Sequence, residues 1–283
     1  MSIFDSFEKK HEYLVCVDSD GCVMDTMNCK HFHCFGPCMV AEWGLEAWKD
    51  AILERWNVIN LFSMTRGINR FKGLAMALGE ISGQYTPIAG IAHLQYWADT
   101  APALSNDAVA KAAAEAEDPE AKLIFGKALS WSKAVNAAIV QLDEDLKVPY
   151  DGAKEGLAAA HRFADVAMVS SANRDAVEEE WGKFGLLEHT DIVLAQDVGS
   201  KAACIAQMLK FGYTADKVLM VGDAPGDGDA AAKNGVFYYP ILVNHEKSSW
   251  EELVNTGFLH LKAGTYADYG REKYAEFLHN LGG

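Results

Sequence analysis

Positive charge is scarce in this chain. Lys and Arg total 25 against 40 Asp and Glu, a formal net charge of −15 at pH 7. That excess repels phosphate backbones and anionic lipid, so a broad basic nucleic-acid-binding face is excluded. A small anionic substrate is not excluded, because a bound cation and a few local Lys or Arg reverse the field locally. Long apolar runs are missing as well: none approaches the ~18 residues that cross a bilayer. The N-terminal Met-Ser-Ile-Phe-Asp-Ser-Phe-Glu-Lys-Lys lacks a basic stretch followed by an apolar one. The expectation is a soluble, cytoplasmic protein with no membrane contact. Cysteine is limited to positions 16, 22, 29, 34, 38 and 204. A chain of this length does not need disulfides, so reduced thiols are expected. No internal repeat or low-complexity tract is present, and the Ala-rich stretch 108–116 is a strong helix former rather than a linker.

What is present is enough apolar material for a sizeable core. Half of the 283 residues are hydrophobic, which suits one large domain or two smaller ones. Tyr13–Val17 is a short apolar run that ends in acids and Gly21, the pattern of a buried strand with a polar carboxyl end. Over residues 26–147 the texture is Ala-, Leu- and Trp-rich with helical spacing, notably at 40–57 and 107–140, and reads as an all-helical insert. After Pro149 strands are expected at 166–169, 192–195, 218–221 and 236–242. Helices are expected at 152–163, 174–184, 201–211 and 227–234. This alternation predicts an α/β fold with a Rossmann-like parallel sheet, whose ligands bind at the carboxyl ends of the strands. The expected division is a core of residues 1–25 and 148–283, with a helical extension from about 246, and a cap domain of residues 26–147. The aromatic residues of 248–283 (Trp250, Phe258, Tyr266, Tyr269, Tyr274 and Phe277) would pack on the sheet or serve a homodimer interface.

Three of the apolar runs end in short polar clusters: Asp18-Ser19-Asp20-Gly21, Ser170-Ser171-Ala172-Asn173 and Gly222-Asp223-Ala224-Pro225-Gly226-Asp227. Lys201 opens the helix that precedes the third. In a parallel sheet all of these lie on one edge. A single acidic loop after a strand is usually a helix cap or a solvated turn, and Asp227 alone could simply start its helix. Four carboxylates together would raise one another's pKa unless a cation sat among them, and Mg²⁺ takes such oxygen ligands.

These motifs, in this order, resemble the haloacid dehalogenase superfamily, in particular its capped phosphatase and phosphomutase-like members. The resemblance covers residues 13–25 and about 150–243. It implies that Asp18 attacks phosphorus and forms an aspartyl-phosphate, and that Asp20 acts as general acid and then base. It implies that Ser170 and Lys201 hold phosphoryl oxygens, with Gly21 and Ser171 beside the phosphate. It implies a Mg²⁺ cofactor held by Asp18, Asp20 through its backbone carbonyl, Asp223 and Asp227. Elementary chemistry agrees. A carboxylate is a competent nucleophile once phosphoryl charge is neutralised, and phosphoryl transfer depends on positioning and electrostatics. Dehalogenases of the family lack the second Asp, so Asp20 favours phosphate esters. The expected activity is hydrolysis of a small phosphorylated metabolite, with a sugar-phosphate phosphomutase as the alternative.

The insert falls where the family places a cap, which would close over a small substrate and exclude water. Within it Arg66, Arg70 and Lys72 cluster between Gly67 and Gly73 or just before them, and resemble a basic substrate loop of sugar-phosphate members. Solvated turns or carboxylate partners are the plainer account. The thiol–imidazole cluster of Cys29, His31, His33, Cys34 and Cys38 matches no zinc spacing. It reads as a hinge into the insert, with His31 or His33 near the substrate.

Overall fold

The computed structural model describes residues 3–283, which form two compact units, one of residues up to 27 and from 144 onward and the other of residues 28–143. The first unit is built on β1 (Tyr13–Val17), followed by a short helix α1 (Thr26–Lys30) that crosses the unit boundary.

The second unit holds α2 (Gly36–Trp43), α3 (Lys49–Leu61), α4 (Arg70–Gln84), α5 (Ile91–Thr100), α6 (Asn106–Glu115) and α7 (Pro119–Val140). Each long helical stretch expected there is broken once, for a local reason. Gly44 takes a left-handed conformation (φ 67°) that ends α2, which an L side chain would resist. Between α6 and α7 the chain is extended at Ala116 and Asp118, the Asp118 side chain caps α7, and Pro119 opens it. The core of this unit is aromatic. Trp131 stands edge-on to Trp56 and Phe71, at centroid distances of 6.0 and 6.2 Å. The thiol–imidazole segment is helical throughout, with a π-helical turn over His31–Phe35. His31 stacks on Phe35 at 4.5 Å, and its Nδ1 accepts a 3.1 Å hydrogen bond from Trp56 Nε1. Its ring is thus held by the aromatic core, while His33 is exposed.

The first unit resumes with α8 (Ala153–Ala160), β2 (Ala164–Val169), α9 (Arg174–Lys183), β3 (Ile192–Leu194), α10 (Lys201–Leu209), β4 (Val218–Gly222), α11 (Pro225–Asn234), β5 (Phe237–Pro240), α12 (Glu246–Glu252), α13 (Phe258–Ala263) and α14 (Tyr266–Asn280). The five strands form one parallel sheet in the order β3-β2-β1-β4-β5. Side chains alternate across it. Val15 and Val17 join one core with Trp181 and Trp250, while Leu14 and Cys16 join the other with Ile205 and Met208. Both faces are buried, which is why the strands read as continuous apolar runs. One carboxylate lies within β2: Asp165 is fully buried, accepts from the backbone N–H groups of Lys10 (3.1 Å) and His11 (3.0 Å), and takes the Tyr213 hydroxyl. The aromatic carboxyl-terminal segment packs on the sheet. Tyr266 donates to the Tyr238 carbonyl (3.0 Å), and α14 lies along β5, covering an edge strand.

Candidate active site at the carboxyl edge of the sheet

β1 is central, and the chain leaves it towards β2 on one side and β4 on the other, which places a crevice at its carboxyl end. Val17 pairs with Met168 and with Val221, so Asp18, Ser170 and Asp223 leave the sheet within one residue of a common register. Asp18 stays in the ladder, its N–H donating to the Val221 carbonyl at 2.9 Å, and its side chain is buried. Ser170 is buried too, and its Oγ accepts from Ala172 N–H at 3.1 Å. Ser171 is exposed.

Beyond Asp18 the chain turns tightly. The Ser19 carbonyl accepts from the N–H groups of Val23 and Met24, both at 2.9 Å, and Gly21 has φ 85°, a region closed to most side chains. The Asp20 carboxylate accepts from the buried Thr26 hydroxyl. Two buried indoles pin the turn. Trp181 Nε1 donates to Ser19 Oγ at 2.8 Å, and Trp250 Nε1 donates to the Cys22 carbonyl at 3.1 Å. Neither tryptophan stands out in the sequence as part of a site. The only signal is generic: a buried indole needs an acceptor for its N–H.

Lys201 is the first residue of α10, whose preceding Ser200 caps the helix. Its ammonium lies 2.7 Å from Asp18 Oδ2 and 2.5 Å from Asp227 Oδ1. The other oxygen of Asp227 accepts from Ala224 N–H at 3.1 Å, so this carboxylate both caps α11 and braces the ammonium. Gly222 makes room for it: a Cβ there would stand 2.4 Å from the Asp227 carboxyl carbon. Burial pushes the Asp18 carboxyl well above the ordinary carboxylate range; Lys201 opposes the shift, and Asp227 and Asp223 add to it. Burial pulls the Lys201 ammonium down, but Asp18 and Asp227 outweigh that and raise it, so it remains charged. Burial and the same carboxylates push the Cys22 thiol up, and it stays a neutral packing group.

One oxygen each from Asp18, Asp223 and Asp227 lie within 4.8 Å of one another, and all three residues are buried. They are the only such group of His, Cys, Asp or Glu among the described residues, and it does not include the side chain of Asp20. Three carboxylates facing one ammonium form an oxygen-only, net-negative donor set, which fits a hard cation such as Mg²⁺. The cation residues of the insert differ in surroundings. Arg66 is buried and donates to the Leu61 carbonyl at 2.9 Å. Arg70 is half-buried over the Phe35 ring, and its Nη1 donates to Ser132 Oγ (3.0 Å) and Asn136 Oδ1 (2.7 Å). Neither Arg70 nor Lys72 makes an ion pair among the described residues, and burial lowers the Arg70 pKa.

The model of a family described as haloacid dehalogenase-like hydrolase matches residues 102–240. That stretch is similar to the haloacid dehalogenase-like hydrolases. The matched stretch holds Ser170, Lys201, Asp223 and Asp227, while Asp18 and Asp20 precede it. No curated protein matches the chain. Among solved structures, a provisionally named phosphoglycolate phosphatase from Lactobacillus delbrueckii subsp. bulgaricus is 13% identical over 81% of this chain and 85% of its own, with a TM-score of 0.52. A second so named, from Haemophilus somnus, is 14% identical over 81% and 85%, with a TM-score of 0.49. A magnesium-bound structure of a provisionally named hydrolase of this family from Bacillus subtilis is 13% identical over 81% and 86%, with a TM-score of 0.41. No helix among the described residues is long and apolar enough to cross a membrane.

Proposed function

We propose that the protein is a Mg²⁺-dependent phosphatase of a small phosphorylated metabolite, acting through an aspartyl-phosphate on Asp18. The observation that carries this reading is the Lys201 ammonium held between Asp18 and Asp227, with Asp223 beside them. In this reading an Asp18 oxygen attacks phosphorus, the bond from phosphorus to the ester oxygen breaks, and Asp20 delivers a proton to the departing alcohol. Asp20 then takes a proton from water, which attacks the same phosphorus and releases inorganic phosphate and the free Asp18 carboxylate. The Thr26 hydroxyl orients the Asp20 carboxylate for both steps. Lys201 and Ser170 hold phosphoryl oxygens, and Lys201 offsets charge on Asp18. Asp18, Asp223 and the backbone carbonyl of Asp20 would hold Mg²⁺, with Asp227 bracing Lys201. The cation supplies charge neutralisation at the phosphoryl oxygens and favours ionised Asp18.

Phosphate release across a panel of phosphorylated metabolites, with Mg²⁺ and no bisphosphate activator, tests the proposal. Turnover that EDTA abolishes and Mg²⁺ restores is the expected result. Isomerisation of a hexose phosphate without phosphate release would replace this reading with a phosphomutase. Within the insert we assign substrate contact to Arg70 and Lys72, since neither is neutralised by a carboxylate. Arg70→Ala and Lys72→Ala should each lower kcat/KM on the preferred substrate by about tenfold, the size of one lost charged hydrogen bond. Turnover of p-nitrophenyl phosphate should be unchanged. A parallel fall on both substrates would sink the assignment.

A further inference from the structure

The loop that carries Asp223 is held from behind by a residue outside the motif. Tyr238, in β5, points its hydroxyl back at β4, donating to the Gly222 carbonyl at 3.1 Å and reaching the Ala224 carbonyl at 3.4 Å. These two carbonyls flank Asp223, so the phenol brackets its stretch of backbone. The ring is held on two sides. It lies against Gly228 of α11, where an added Cβ would meet it at 3.5 Å. On the other side α14 presents Tyr274 and Phe277 edge-on, at centroid distances of 6.2 and 5.7 Å. The backbone is fixed as well, because Tyr266 of α14 donates to the Tyr238 carbonyl at 3.0 Å.

We propose that Tyr238, braced by α14, is a positioning residue that sets the direction of Asp223 and thereby the affinity of the site for a divalent cation. This rests on the Mg²⁺ site proposed above. The chemistry favours it for two reasons. Hard-cation sites depend on where their carboxylates point, and groups that orient ligands tune affinity as strongly as some ligands do. A tyrosine hydroxyl shared between the Gly222 and Ala224 carbonyls also ties the peptide group just before the ligand residue to the one that follows Ala224, which a single backbone hydrogen bond cannot do. The helical extension from residue 246 then has a role at the site as well as over the sheet edge: its last helix supplies the back wall for the phenol.

The test is Mg²⁺ titration by calorimetry on full-length wild type and Tyr238→Phe, with Tyr213→Phe as a control. The control removes another tyrosine hydroxyl, the one on Asp165. Tyr238→Phe should weaken Mg²⁺ binding about five- to tenfold, and raising Mg²⁺ should restore kcat to the wild-type value. Tyr213→Phe should lower the melting temperature and leave Mg²⁺ affinity unchanged. Tyr274→Ala, which strips the brace and leaves the hydroxyl in place, should weaken binding in the same direction by a smaller factor, and it carries the test if Tyr238→Phe does not fold. Unchanged affinity in the folded variants, beside clear binding by wild type, overturns the role of Tyr238 alone. Absence of Mg²⁺ binding by wild type overturns the cation site and this proposal with it.

Discussion

Asp18→Asn should abolish turnover, with a fall on the order of 10³-fold or more, because no other carboxylate in the site takes its place as nucleophile. The same variant should melt at a higher temperature than wild type in Mg²⁺-free buffer at neutral pH. The sign follows from burial, which raises the Asp18 carboxyl well above its ordinary value, with Asp227 and Asp223 adding to the shift against Lys201. A raised carboxyl favours the fold fully below the unfolded-state value of about 3.9, and that contribution is lost as pH rises through the folded-state value. At pH 7 wild type therefore carries the cost of this upward shift, which asparagine does not. The gap between the two melting temperatures should close below about pH 4, where both side chains are neutral, and addition of Mg²⁺ at pH 7 should favour wild type. Calorimetric scans at several pH values read the first effect, and phosphate release reads the loss of turnover. A variant with full turnover would remove the covalent step.

Gly222→Ala should be the most damaging single methyl group in the site. Its Cβ would stand 2.4 Å from both Cγ and Oδ2 of Asp227, closer than such atoms approach in folded proteins. The backbone of Gly222 itself is ordinary, so the damage is displacement of Asp227 rather than strain at residue 222. A displaced Asp227 loses the Lys201 ammonium and the Ala224 N–H together. Overpacking costs about 1–3 kcal/mol and loss of the cap about 1 kcal/mol. A melting temperature lower by several degrees is expected, together with a loss of activity on the order of 10²-fold. Wild-type activity in this variant would show that the Lys201–Asp227 pair is dispensable.

The parts of the site visible in the sequence are those set by short-range rules. A strand that is buried on both faces and must end in polar groups announces its last residue, so Asp18, Ser170 and Asp223 could be placed at one sheet edge from three apolar runs. Helix starts were equally plain where a cap residue stands before them, as Ser200 does before Lys201. The less visible parts are pairings between distant residues. Trp181 reaches Ser19 across 162 positions, and Trp250 reaches Cys22 across 228. No local pattern encodes those bonds, only a topology that brings α9 and α12 to the β1 turn. The same holds for Lys201. As a lone cation it reads as a phosphate ligand, whereas folding gives it two carboxylate partners. In the insert, Gly44 and Pro119 carry the break signals, but the strong helical spacing on either side masks them.

The central place of β1 also governs how the chain meets itself during synthesis. Tyr13 pairs with Ala164, and Leu14 pairs with Val218. At ~5–20 residues per second the strand emerges on the order of 10 s before its first neighbour exists. In that interval the chain makes residues 28–143, a unit with its own aromatic core. The insert can therefore bury its apolar surface while β1 still waits. A nascent chain stalled once residue 143 has cleared the ribosome, and before β2 has, should protect the insert from proteolysis and leave the segment carrying Asp18 open to cleavage.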